Sequence, residues 1–445
     1  MKNISIWNDI KRKEYPKLNE DKKVDVLIIG GGLTGISTLY YLKNSNLNVI
    51  LVEQNKIGNG ITGNSTDKLN YLQNDLIDKI RTFYDETKAS KYLDAQRHAI
   101  KDIVNVINKE NIDCDLKKVP AYLYTNNSNE INKLKSLESF LKNNKIKVYK
   151  ENNNIVKSKY MIKVDNTYIF NPIKFIYGLL NNNNYNIYEN TSIINIEYKN
   201  NYYLCHTKNN IIKAKIVVLA SHYPYFIIPF LFPFKVGLEK SYLSASKSNI
   251  KDLSLISYSN PFISIRSYKD YLIYLSNSHD NNKKVCDKDN FNELLKKLKD
   301  INLTPDYLWS NIDIITSDGM PYIGKLKKNL LIGTGYNTWG LTNGFLAGEI
   351  LSDIILNKNN KYIKLFNPNR SNIKHIPSYI NSAYKTIDGY IKGFTNTNKT
   401  KYKCPHVGCK LIYNEVENTY DCPCHGSRFN SNGKCFNGPA NKDIF

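Results

Sequence analysis

Long apolar runs are missing from this chain. The longest, residues 226–234, is far short of the roughly 20 residues a membrane-spanning helix needs and is broken by Pro229 and Pro233. No membrane span is expected. The N-terminus, Met1 to Lys11, lacks the continuous apolar core of a secretory signal, which predicts a cytoplasmic protein. Acidic residues are scarce as well: 40 Asp and Glu face 62 Lys and Arg, a formal net charge of +22. This excess does not point to nucleic acid, because Lys is scattered through a chain rich in Asn, Ile and Tyr and gathers on no segment. It reads as a solvated basic surface. No internal repeat is present, and a hydrophobic content of 41% excludes a disordered chain. Cysteine is unevenly placed: five of the eight lie after residue 400. In a reducing compartment such a cluster points to metal before a framework of structural disulfides.

The ordered part of the text begins with Val24–Ile29, a short apolar run leading into Gly30. Residues 36–42 read as the apolar face of a helix, and Val49–Val52 as a second strand ending at Glu53. Between them, Gly30-Gly31-Gly32-Leu33-Thr34-Gly35 spells G-x-G-x-x-G. Gly30 allows the tight turn, Gly32 lets a pyrophosphate approach the backbone, and Gly35 lets helix and strand pack closely. The helix N-terminus adds unpaired N–H groups for the phosphates, and Glu53 can accept hydrogen bonds from ribose hydroxyls. This order predicts a dinucleotide site. Residues 66–110 read as mainly helical, with Ile100, Ile103, Val104 and Ile107 on the 3.6-residue period. Residues 120–315 read as mostly strands, interrupted by polar tracts such as 181–184. Residues 216–220 and 330–332 read as buried parallel strands returning to the first sheet.

At these residues the chain resembles the D-amino-acid oxidase and glycine oxidase type of FAD-dependent oxidoreductase, from about Trp7 to Arg370. The segment 58–65, with Thr62 and Ser65, is similar to that family's loop approaching the flavin. Residues 318–324 and 333–342 look like its closing FAD segments, with Gly335, Gly340, Leu341 and Thr342 at the cofactor. The resemblance implies an α/β fold: a Rossmann-like FAD-binding domain assembled from about 22–115, 175–222 and 316–365, and an inserted mixed-sheet substrate domain from about 116–174 and 223–315. Residues 371–400 are expected to be a helix and linker. Beyond segment 58–65, which itself spells G-x-G-x-x-G at Gly58 to Gly63, no such motif follows, which argues against a separate NAD(P)H domain.

Cys404-Pro-His406-Val-Gly-Cys409 and Cys422-Pro-Cys424-His425-Gly-Ser427 are the most specific motifs in the chain. Two Cys and two His also suit structural zinc, but zinc fingers pair Cys with Cys and His with His, whereas each box here mixes them. The boxes resemble those of Rieske [2Fe–2S] proteins, which implies a small all-β module at 401–445. By that resemblance Cys404 and Cys422 hold one iron, His406 and His425 hold the other, and Cys409 and Cys424 form a disulfide across the two loops. Ser427 stands where the family places a hydrogen-bond donor to a cluster sulfur. Phe429 stands where the highest-potential members have tyrosine, which implies a lower potential. Only 33 residues separate Arg370 from Cys404, so the module is expected to be trimmed and to lean on the flavoprotein body.

The combined expectation is an enzyme that oxidises a small C–H donor, an amine or amino acid first, by hydride transfer to FAD. Its electrons pass singly through the cluster to an external acceptor, possibly a redox protein. The alternatives are a non-catalytic or regulatory flavin and iron–sulfur electron carrier, or an oxygen-using oxidase. A Rieske oxygenase is disfavoured because the five remaining histidines show no close pair. Arg266 is a candidate to pair a substrate carboxylate, and His279 a candidate to accept a proton. His222 reads as part of a flavin-side turn and Cys114 as a small buried residue. Purified holoprotein is expected to contain one FAD, released by acid, and two iron atoms per chain. Metal analysis giving stoichiometric zinc without sulfide would refute the cluster assignment.

Overall fold

In the computed structural model, Lys22–Ile29 forms the middle strand of a parallel sheet, flanked by Ile211–Leu219 and Val49–Val52. Val26, Leu27 and Ile28 are fully buried, which explains why this strand reads as one continuous apolar run rather than an alternation. Leu330–Thr334 and Asn186–Tyr188 extend the parallel order on either side. Tyr322–Lys327 adds an antiparallel edge, and Tyr202–His206 with Asn195–Lys199 forms an antiparallel extension. The first sheet is thus assembled from three distant stretches of chain.

The structure describes residues 1–151, 156–181, 183–223, 235–259, 262–281, 286–370 and 400–445, with Pro377, Ile380, Tyr384, Ile387, Asp388 and Ile391. The apolar run 226–234 and most of the expected helix and linker at 371–400 fall outside these residues. No helix among the described residues is long and apolar enough to cross a membrane.

A nine-stranded mixed sheet stands beside the first. Its strands run in the order Pro305–Thr316, Val236–Lys247, Tyr271–Asp280, Ser264–Tyr268, Ser254–Ser257, Lys117–Thr125, Tyr160–Ile169 and Lys68–Leu69, with Val148–Lys150 paired to Tyr160–Ile169. Only the pairing of Ser254–Ser257 with Lys117–Thr125 is parallel. The reading of 120–315 as mostly strands needs one correction, because three helices interrupt it: Ile131–Asn143, Pro172–Leu180 and Asp287–Lys299. The signals are local. Leu134, Leu137, Phe140 and Leu141 share a buried helical stripe. Asn171 caps the second helix by accepting from the N–H groups of Ile173 and Lys174, with Pro172 in its first turn.

The helices Leu33–Tyr41 and Gly340–Ile355 pack together on the first sheet, where Ser37 Oγ donates to the Gly344 carbonyl at 3.0 Å. The last body residue before the connection, Arg370, is anchored by Asp318: its Nε donates to Oδ2 at 2.8 Å and its Nη2 to Oδ1 at 3.0 Å. Tyr84 donates to the same carboxylate at 2.7 Å, and the guanidinium lies 3.9 Å from the Tyr322 ring centroid. Burial alone would raise the Asp318 carboxyl, but the Arg370 charge overrides it and holds the group well below the usual range. Asp318→Asn strands a buried guanidinium, so urea denaturation should show a loss of about 3–5 kcal/mol at neutral pH. The lowered folded pKa means that this stabilisation is present above the ordinary carboxylate pKa and is lost as pH falls below it. The gap between wild type and variant should therefore close in acid.

Candidate functional site

Gly30 turns the chain at φ +114°, and its N–H donates to the Val52 carbonyl at 2.9 Å. A side chain at Gly35 would place its Cβ 2.0 Å from the Gly30 carbonyl oxygen, so only glycine lets the helix sit this close to the strand. Gly32 is the N-cap of that helix and offers no side-chain cap. Its backbone donors therefore face a cavity, one of them, Leu33 N–H, meeting Thr62 Oγ1 at 3.1 Å. The Glu53 carboxylate accepts from Gly31 N–H at 2.7 Å and Asn55 N–H at 2.8 Å. Burial raises its pKa, and these backbone donors only partly offset the effect.

Of the residues read from the sequence for the cofactor, Gly30, Gly32, Glu53, Thr62, Ser65, Gly340 and Leu341 line this one cavity. Gly35, Gly335 and Thr342 do not line it. Gly35 packs helix on strand, Gly335 turns at φ +73°, and Thr342 donates to Gln96 Oε1 at 2.6 Å. A second uncapped helix N-terminus, at Gly340, meets the cavity from the other end of the chain. Just before it, Asn337 and Thr338 have φ of 52° and 68°. A β-branched residue is strained there, and Asn337 holds the turn by accepting from Thr316 N–H at 2.7 Å and donating to the Gly319 carbonyl at 2.9 Å.

The C-terminal residues form a four-stranded antiparallel sheet: Ile412–Asn414, Thr419–Asp421, Arg428–Asn430 and Cys435–Asn437. At one end the His406 and His425 rings lie with centroids 4.9 Å apart, and the Cys422 thiol hydrogen-bonds Cys404. That hydrogen bond is the first cause lowering Cys404 to about 7, opposed by burial and helped by backbone donors from His406 and Val407 and by Ser427. Cys422, the donor, is pushed up. Burial, with His425 next, lowers His406 to about 3, and burial lowers His425 to about 4. Both imidazoles are therefore neutral, as iron ligation requires. Cys409 and Cys424 are disulfide-bonded, with their sulfurs within 4.8 Å of Cys422 Sγ.

This module docks on the body through buried polar contacts. Lys240 Nζ lies 2.7 Å from both Asp287 and Asp421. Arg428 pairs with Asp421 at 3.1 Å and Glu417 at 2.7 Å, and donates to the Ser310 carbonyl at 3.1 Å. Asn281 donates to the Pro423 carbonyl at 3.1 Å, and Asn55 to the Cys435 carbonyl at 3.2 Å. Two consequences follow for the site. Residues 436–439 and Asn441 line the same cavity as the glycine turn. The Tyr223 ring, also on that cavity, lies 5.6 Å from the His425 ring.

The sequence profile of FAD dependent oxidoreductases matches residues 25–354. The chain belongs to this family. A Rieske [2Fe-2S] domain profile matches residues 396–445. The oxidoreductase is 27% identical to YhfW of Bacillus subtilis, named a Rieske 2Fe-2S iron-sulfur protein, over 97% of this chain and 94% of that one. The cytochrome b6-f complex iron-sulfur subunit 1 of Nostoc is 46% identical over 41 residues, 9% of this chain and 23% of that one. The fold is similar to glycine oxidase from Geobacillus kaustophilus at TM-score 0.68 and 16% identity, covering 79% of this chain and 100% of that one. The residues present fit both cofactors. Two uncapped helix N-termini and a buried acid front the nucleotide cavity, where a Cβ at Gly60 would meet nothing within 4 Å. Paired thiols and paired neutral imidazoles meet at the module tip. The oxidoreductase domain binds FAD and the Rieske domain binds a [2Fe–2S] cluster.

Arg266 and His279 are not on the lining of this cavity or of the smaller one beside it. Arg266 is fully buried in the oxidoreductase, donating to the carbonyls of Asp67 and Phe170 and stacked 4.9 Å from the Trp7 ring centroid. His279 lies against Tyr242, which also donates to Asp287 at 2.6 Å, so it belongs to the docking region. His222 lies on the cavity and is fixed by the Ile312 carbonyl at 2.9 Å. The sequence reading missed Lys68, Asp313 and the cavity-lining residues 436–439 and Asn441, because sheet register and docking, not motifs, bring them in. Lys240→Met leaves Asp421 and Asp287 short of a buried cation and should weaken docking by about 3–5 kcal/mol. In urea, the cluster's spectroscopic signal should be lost well before the flavin body unfolds. Simultaneous loss at the wild-type midpoint would show that this contact does not hold the module.

Proposed function

We propose that the oxidoreductase is a dehydrogenase of small amines or amino acids that passes its electrons singly through the Rieske cluster to an external acceptor. The observation that carries this reading is the shared cavity: residues of the Rieske module line it together with the glycine turn, and His425 sits against Tyr223 on its wall. When bound, FAD supplies the two-electron acceptor for a C–H bond, and the cluster supplies a one-electron exit. Gly30, Gly32, Glu53, Thr62, Ser65, Gly340 and Leu341 would hold the flavin. Cys404 and Cys422 would bind one iron, and His406 and His425 the other. Ser427, whose hydroxyl reaches Cys404, would stabilise the reduced cluster by donating to sulfur. Tyr223, buried on the cavity wall against His425, would lie between the two centres. The small-molecule reductant enters from the body, and the electron acceptor meets the module.

Substrate should bleach the flavin first and the oxidised cluster second, whereas NADH and NADPH should do neither quickly. His425→Ala should abolish the cluster signal and slow transfer to the acceptor at least about tenfold, while leaving flavin reduction by substrate largely intact. Stopped-flow absorbance decides. Rapid flavin reduction by NADH, or no substrate bleaching in a folded, FAD-loaded His425→Ala protein, would refute this electron path.

A further inference from the structure

A second, smaller cavity adjoins the flavin cavity, and Ser65, Asp313, Thr338, Gly340 and Leu341 line both. Lys68 lines the smaller one and is only 4% exposed. Its ammonium donates to the Leu255 carbonyl at 2.8 Å and to Ser264 Oγ at 2.5 Å. Both acceptors are neutral, and among the described residues no carboxylate pairs with it. An ammonium has three N–H donors, so one remains beyond these two. Burying such a group without a counter-charge is unfavourable, which makes its position at a cavity wall chemically specific. Burial, with Arg266 next, pushes the Lys68 ammonium well below its ordinary value. A carboxylate brought against it acts in the opposite sense and restores the charge.

The same lining carries the complementary groups. Asn311, also 4% exposed, donates from Nδ2 to Asp313 Oδ2 at 3.0 Å, and its Oδ1 has no hydrogen-bond partner. The reverse amide orientation would set oxygen against carboxylate, so Oδ1 is the atom left free to accept. Asp313 is the carboxylate on the wall common to both cavities. Burial, then Glu239 opposite it in the sheet, raises it to about 7, a range suited to taking and releasing a proton at neutral pH.

Resting on the amine or amino-acid reading above, we propose that Lys68 binds the carboxylate of a zwitterionic amino-acid substrate, while Asn311 and Asp313 receive its amino group. Asp313 accepts the ammonium proton: an N–H bond breaks, an O–H bond forms on the carboxylate, and no electron is transferred. The product is the neutral amine, whose lone pair is then available to form the C=N bond as the Cα–H bond is oxidised. Arg266 lines neither cavity, and its two Nη groups donate to backbone carbonyls, so it is not assigned to this recognition.

The test uses full-length, FAD-loaded protein and two probes, acetate and its neutral analogue acetamide. Acetate should perturb the flavin absorbance and acetamide should not. Lys68→Met removes the charge without leaving a buried ion, so it should fold and retain FAD. It should weaken acetate at least about tenfold, while Lys68→Arg keeps most of the affinity. Asp313→Asn should leave acetate affinity within about threefold and slow amino-acid bleaching of the flavin at least about a hundredfold. Acetate binding equally well to wild type and Lys68→Met would overturn the carboxylate assignment. So would bleaching by an amine lacking the carboxylate at the rate of its parent amino acid. Unchanged bleaching in Asp313→Asn would overturn the proton assignment. If no amine or amino acid bleaches the wild type, the proposed reaction fails instead, and the acetate titration still reports on Lys68.

Discussion

Lys240 is a body residue with two buried carboxylates, and one of them, Asp421, belongs to the Rieske module. A cation removed from water this completely is tolerated only when its counter-charges are fixed in place. Arg428 fixes them from the module side, joining Asp421 to Glu417 and reaching the Ser310 carbonyl. The ion cluster therefore stabilises only one relative placement of body and module. Rotation or sliding of the module would strand charges on both faces. The closeness of His425 to Tyr223 and the participation of residues 436–439 and Asn441 in the flavin cavity both depend on this placement.

The module needs that support. Its apolar interior is small, built from four cysteines, Leu411, Phe429 and Ala440, and its strands are three residues each. Folds this small usually require disulfides, metal or a partner surface, and this one draws on all three. The Cys409–Cys424 bond ties the two ligand loops, a cluster held by Cys404, Cys422, His406 and His425 would brace the tip, and the body supplies the third face. A hydrophobic interface would have given comparable burial, but ion pairs and hydrogen bonds give orientation as well.

Local signals made much of the fold legible. The Val24–Ile29 run, the glycine turn and Glu53 announced a nucleotide unit because each acts through its own backbone neighbourhood. The boxes around Cys404 and Cys422 announced their chemistry because ligand identity is written in residue type. Helices such as Pro172–Leu180 were overlooked although Asn171 and Pro172 signal its start, since apolar β-branched residues blurred the period. Lys68 and Asp313 carry no motif at all. They become neighbours of the flavin cavity only when a two-residue strand pairs with Tyr160–Ile169 and a twelve-residue strand with Val236–Lys247. Arg266 shows the converse: its residue type suggested recognition of an anion, and its place in a central strand assigned it to packing.

The flavin cavity takes one wall from the last part of the chain that touches it. Residues 436–439 and Asn441 follow every other lining segment in sequence, so during synthesis the glycine turn, Glu53 and the helix at Gly340 can all fold before this wall exists. Once the module folds onto Lys240 and Ser310, its last residues complete the cavity's wall.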